Sequence, residues 1–248
     1  MSSSPPGGGA TRDVRPGSRV EAILRHAGLT PAEVPAGPDG GRYVTEAEVL
    51  AEIDRRGLQV TVPEQLPPLS EKAARRYVRK LHSLGAHILL LHEGTKAPVA
   101  SAWQDSPPAT EDEAVAWLAG GGNLGILCSG SGRNGWLILD AENGPATTLL
   151  AAAGLVPTAI TANAQDPSNP KKLGGSHFWF PLPDDVDPAT LTTRLVVPLP
   201  GGGTVDVMVG PRNIVAPGSR LDGAPGLRYE FAEAGAAFHP ELWGAHDI

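Results

Sequence analysis

An apolar run at 136–139 ends in two carboxylates, Asp140 and Glu142, with Ala141 between them. Residues i and i+2 of a strand share one face, so both acids point the same way. Paired carboxylates repel, and a divalent cation that prefers oxygen donors, Mg²⁺ or Mn²⁺, is the usual compensation. Solvated residues at a strand end would give the same pattern. A third acid, Asp206, stands inside the apolar stretch 205–209, behind Gly201, Gly202 and Gly203. A lone carboxylate there is costly unless paired or metal-bound, or unless its strand is an edge facing water. Gly174, Gly175, Ser176 and His177 lead into the apolar residues 178–180. Backbone N–H groups, a hydroxyl and an imidazole together suit a phosphate, although a hairpin turn with a structural histidine reads equally simply. Lys171 and Lys172 add positive charge just upstream.

The elements that must position these groups are legible as texture. Residues 20–27 and 45–56 have helical spacing, stopped by Gly28 and Gly57, and form a small helical annex over 16–62. Its charged residues would coat a solvated face or a partner surface. A Pro-rich linker follows at 63–69, and Ser70 opens a basic helix, 72–84, with Arg75, Arg76, Arg79 and Lys80. Strands are expected at 87–92, 124–128, 136–139, 159–162, 177–180, 204–209 and 213–216, with helices at 111–119 and 146–153. Strands alternating with helices and then following one another predict an α+β domain over 70–232 with helices on one face. Residues 1–15 and 233–248 read as tails.

Composition limits the function. Among 248 residues there are 31 Gly, 25 Pro and one cysteine, Cys128. One thiol excludes an internal disulfide, a cysteine-based zinc ribbon and an iron–sulfur cluster. A formal net charge of −7 excludes a globally basic surface that coats itself with nucleic acid, though not a local basic groove. No run of about 18 apolar residues occurs and the N-terminus lacks a signal-like h-region, so a cytoplasmic protein without membrane contact is expected.

Taken in chain order, these segments resemble the bifunctional DNA primase/polymerase (prim-pol) domain of the archaeo-eukaryotic primase superfamily, the plasmid and phage type. The resemblance begins at Gly94, Thr95, Lys96, Ala97, Pro98 and Trp103, and continues through Gly122, Asn123 and Gly125, then Ser131 and Gly132. It runs on through the acidic strand, the His177 strand, the Asp206 strand, Val215 to Ser219, and Gly226 to Tyr229. The resemblance implies a catalytic sheet of RNA-recognition-motif-like topology packed with an N-terminal αβ unit. It implies Asp140, Glu142 and Asp206 as catalytic metal ligands, Ser176 and His177 as binders of the nucleotide's phosphates, and Lys96 as a nucleotide or template contact.

The expected activity is template-directed nucleotidyl transfer with Mg²⁺ or Mn²⁺ on dNTP or NTP substrates, in phage or plasmid DNA replication. The expected partners are a single-stranded DNA template with its primer, held with help from Lys171, Lys172 and Arg212, and a separate replicative helicase. The helicase is expected on another chain because no G-x-x-x-x-G-K-[ST] loop occurs here. Relatives often place a basic residue soon after the third acid. Here Val207, Met208 and Val209 follow it, leaving Arg212 or Arg220 to supply the charge. Two other readings fit the same residues, a metal-dependent nuclease and a non-catalytic accessory that binds single-stranded DNA.

Overall fold

Apolar residues alternating with polar ones between Gly and Pro punctuation produce two antiparallel sheets. The structure, a computed structural model, describes residues 13–14, 19–36, 44–60, 66–129, 135–165, 169–187, 190–224 and 226–232. The tail expected at 233–248, nearly all of that at 1–15, part of the linker, and Ser131 and Gly132 lie outside these residues.

The smaller sheet holds β1 (Ile88–Leu91), β2 (Asn123–Leu127) and β8 (Asn213–Val215), with β2 in the middle. The larger runs β6 (Arg194–Leu199), β7 (Gly203–Met208), β3 (Trp136–Ala141), β5 (Ser176–Pro181), β4 (Ala159–Ile160) and β9 (Glu230–Phe231). Every pairing is antiparallel. Helix α5 (Gly144–Ala152) links β3 to β4, so the inner order β7-β3-β5-β4 has the RNA-recognition-motif-like arrangement expected of the catalytic sheet. The fold is α+β.

Period two assigns the two faces of the large sheet. Ala141, Phe178 and Phe180, with Leu137 and Leu139, pack against Ala146 and Leu150 of α5. On the opposite face Trp136, Ile138, Trp179 and Ala159 join α3 (Glu71–Ser83), α4 (Glu111–Ala119) and the small sheet in the principal core. Helices therefore cover both faces, not one as expected, because the link from β3 to β4 crosses on the side away from α3 and α4. Trp136 and Trp179 meet edge to face, 6.1 Å between centroids, a geometry their ring quadrupoles favour. Cys128 is fully buried in this core, and burial pushes its thiol up to about 12.

The helices begin where side chains satisfy the first free N–H groups. Ser70 caps α3 through Ala73 N–H at 3.3 Å, and Asn143 caps α5 through Ala146 N–H at 3.1 Å. Such a cap contributes about 1 kcal/mol. Helices α1 (Arg19–Ala27) and α2 (Glu46–Arg55) share an apolar cluster of their own, with Ile23, Leu24, Val49 and Ile53. Thr45 and Glu48 form a capping box at the start of α2. Glu52, buried in that unit, accepts from Arg55 Nε at 2.7 Å and Arg56 Nε at 2.5 Å.

Arg220 and Arg228 fasten the chain entering α3, donating to the carbonyls of Leu66 and Pro67. Among the described residues no helix is long and apolar enough to cross a membrane.

Candidate active site

Register brings the chemistry together. Asp140 on β3 lies directly opposite His177 on β5 and directly opposite Asp206 on β7. Opposed residues of an antiparallel pair project from the same face, with Cβ atoms about 4.5–5.5 Å apart. The row Asp206, Asp140, His177 therefore crosses three strands, and it continues through Ala159 to Phe231. This face is the one turned toward the small sheet.

Asp140 sits at the centre of that row with 23% of its side chain exposed. Among the described residues no arginine is paired with it. Burial pushes its carboxyl up to about 6, with Asp206 raising it further, while Lys96 and Lys172 pull it down without cancelling the shift. Asp206 is held from the other side. Its Oδ1 accepts the N–H of Val196 at 2.6 Å, across a bulge where the β6–β7 register shifts between Arg194 and Val197. Val196 has φ +55°, which a β-branched residue adopts only where its surroundings demand it.

His177 is almost wholly buried, its Nε2 3.5 Å from Asp140 Oδ1. Burial, aided by the charge of Lys96, lowers its pKa to about 3, so the ring is neutral. Its Nδ1 is buried with no hydrogen-bond partner. Tyr229 packs against the imidazole at 5.6 Å between centroids, the two rings tilted 43° to each other. The reading of the sequence gave Tyr229 no role, and only its place at the end of the resembling segments pointed to it.

Glu142 continues the ladder, its N–H bonded to Thr204 O at 3.1 Å, so it shares the face of Asp140. Its carboxylate, however, is ion-paired with Lys172. The three expected ligands are thus one facing pair, Asp140 and Asp206, and a neighbour engaged by a lysine. Among the described residues no group of three or more His, Cys, Asp or Glu is drawn together around one point. The donor set nonetheless fits an oxygen-preferring divalent cation: two facing carboxylates, the central one short of positive charge, with a third acid one step along the strand.

The remaining expected residues separate. Ser176 precedes His177 and pairs with Ala141, so alternation turns it to the α5 face, away from the acids. Gly175 falls on the His177 face instead, where a Cβ would come within 2.8 Å of Ala141 O. Lys96 is exposed, and its charge acts on Asp140 and His177. Its loop is held by Asn123, which donates to Thr95 O at 2.9 Å, and by Asn213, which donates to Lys96 O at 3.1 Å.

Lys171 and Arg212 are exposed. Arg220 is committed to Glu93 and Leu66 O, and does not supply the charge expected after Asp206. On α3, Arg75 and Arg79 are taken up by Glu111, with Glu71 and Asp112 also on Arg75. Arg76 and Lys80 instead lie over the rings of Tyr77 and Phe231.

The chain matches the family model described as bifunctional DNA primase/polymerase, N-terminal, over residues 78–241, and belongs to that family. The match contains the whole Asp206, Asp140, His177 row. It assigns the chain a nucleotidyltransferase-type domain of DNA replication, from a family that generally uses divalent metals. A search among curated proteins finds no match.

Proposed function

We propose that this member of the primase/polymerase family catalyses template-directed nucleotidyl transfer in phage or plasmid DNA replication. The observation that supports it best is the facing pair Asp140 and Asp206, central in the sheet, with no arginine among the described residues paired to Asp140. Asp140, Asp206 and Glu142 are the residues that would hold Mg²⁺ or Mn²⁺. Bound there, divalent cations would supply the Lewis acidity that lowers the pKa of an attacking hydroxyl and offsets charge on a triphosphate.

The chain's own groups do the rest by positioning. The primer 3′-oxygen forms a bond to the α-phosphorus as the bond from that phosphorus to the bridging oxygen breaks. His177, neutral and held by Tyr229, presents a ring nitrogen to the phosphates without adding charge. Lys96 offers an exposed cation whose charge reaches Asp140 and His177. Ser176 points to the other face and has no direct part, leaving Gly175 to admit the substrate close to the backbone. The template is single-stranded DNA, with Lys171 and Arg212 available to its phosphates, and a helicase acts as a separate partner.

The test is synthesis on a single-stranded template, with and without a primer, using Mn²⁺ or Mg²⁺ and labelled dNTPs and NTPs offered separately. Wild type should incorporate, and Asp140→Ala should lose incorporation by on the order of 10³-fold with unchanged circular dichroism. Incorporation retained by a folded Asp140→Ala protein overturns the assignment. Strand hydrolysis without incorporation makes the protein a nuclease.

A further inference from the structure

Lys172 was expected to touch nucleic acid, but its ammonium lies among the acids. It is ion-paired with Glu142, and its charge also acts on Asp140. Its backbone is fastened. Lys172 N–H donates to Asn169 O at 3.0 Å and its carbonyl accepts from Gly175 at 3.1 Å. The next two carbonyls are bound to the start of α5, Leu173 O by Gly144 N–H at 2.8 Å and Gly174 O by the Thr147 hydroxyl at 2.7 Å. The side chain, by contrast, is 43% exposed. A fixed root and a partly exposed side chain describe a group that can change partners without moving its backbone.

We propose that Lys172 is an internal cation which occupies the carboxylate cluster of the empty enzyme, yields Glu142 when metal arrives, and passes to the triphosphate of the incoming nucleotide. This rests on the metal-site reading above. Lysine suits the exchange because a single ammonium on a flexible stem has no fixed fork to break, whereas the guanidinium of Arg220 is held by two partners at once. The proposal predicts effects of opposite sign. An internal cation competes with metal, so its removal strengthens metal binding; a triphosphate ligand helps the nucleotide, so the same removal weakens nucleotide binding. A simple exposed ion pair would change neither appreciably.

The experiment uses the full chain, wild type beside Lys172→Gln and Asp140→Asn. Mn²⁺ affinity of the nucleotide-free protein is read by electron paramagnetic resonance, and affinity for a non-hydrolysable dNTP analogue by fluorescence. Lys172→Gln should bind Mn²⁺ roughly fivefold more tightly and the analogue roughly tenfold more weakly. Equal or weaker Mn²⁺ binding by Lys172→Gln, or unchanged analogue binding, overturns the proposal. The Asp140→Asn arm separates the two claims. If it keeps wild-type Mn²⁺ affinity, the metal-site reading fails first; if it loses Mn²⁺ while Lys172→Gln gains none, the role of Lys172 alone fails. Lys172→Arg, which keeps the charge, should leave Mn²⁺ affinity near wild type; tightening as large as that of Lys172→Gln counts against the internal cation.

Discussion

Glu52 in the helical annex and Asp140 in the large sheet are both carboxylates set into protein, and their environments move them in opposite directions. Two arginines hydrogen-bond Glu52 and hold its carboxyl down to about 2. Among the described residues Asp140 has no such partner, and burial lifts its carboxyl from the ordinary 3.8 to about 6. Annex and site differ the same way elsewhere. The annex closes its polar groups locally, Thr45 with Glu48 and Arg56 with Glu33. The site leaves His177 Nδ1 without a partner and holds Asp206 through a strained valine. Satisfied burial makes structure, whereas burial without a hydrogen-bonded, fixed countercharge leaves room for a ligand that brings it.

The sharpest way to break this contrast is to neutralise each acid. Asp140→Asn should lose nucleotide incorporation by on the order of 10³-fold while melting no lower than wild type in the absence of metal, because it removes a disfavoured charge. Glu52→Gln should do the reverse, keeping incorporation and lowering the thermal stability of the annex, because Arg55 and Arg56 lose their shared acceptor. Similar losses of stability in both variants would erase the distinction.

A smaller effect separates the regions by pH. Asp140's folded pKa lies above its unfolded value, so its stabilising contribution is full below about pH 4 and is lost as pH rises through about 6. For Glu52 the folded value lies below the unfolded one, so its contribution is present above about 4.5 and is lost as pH falls toward 2. Melting curves of the metal-free protein should therefore show Asp140→Asn gaining on wild type as pH rises from about 4 to about 6 and keeping that gain at higher pH, with the gain abolished by saturating Mg²⁺. A pH-independent difference would contradict the assigned environment.

The smallest expected effect is at Val196. Val196→Gly keeps the N–H bonded to Asp206 and relieves the positive φ, so stability should change by no more than about 1 kcal/mol and incorporation should persist. A large loss of activity would mean that the valine side chain itself orients Asp206.

Much of this arrangement could be read from the residues. Period two placed Asp140 and Glu142 on one face, and the same rule, applied to neighbours, would have turned Ser176 away from His177. Strand β6 escaped notice because Pro198 interrupts it and its exposed apolar residues give no alternation. Strand β9 is only two residues long. The facing of Asp140 and Asp206, and the capture of Glu142 by Lys172, depend on register between segments distant in sequence, which no local pattern encodes. Asn123 was visible only as part of a glycine-rich stretch, yet it ties the Lys96 loop to Arg220 O at 2.6 Å.

Cys128 is the chain's single cysteine, wholly enclosed, with its thiol pushed up to about 12. Alkylating and maleimide reagents act on the thiolate, so this thiol should stay unlabelled in the native protein. A cysteine introduced at an exposed position, as in Ser83→Cys at the end of α3, would then be the one reactive handle on the molecule. A fluorophore placed there needs no cysteine-free background, and the buried core stays intact while the surroundings of α3 are followed in real time.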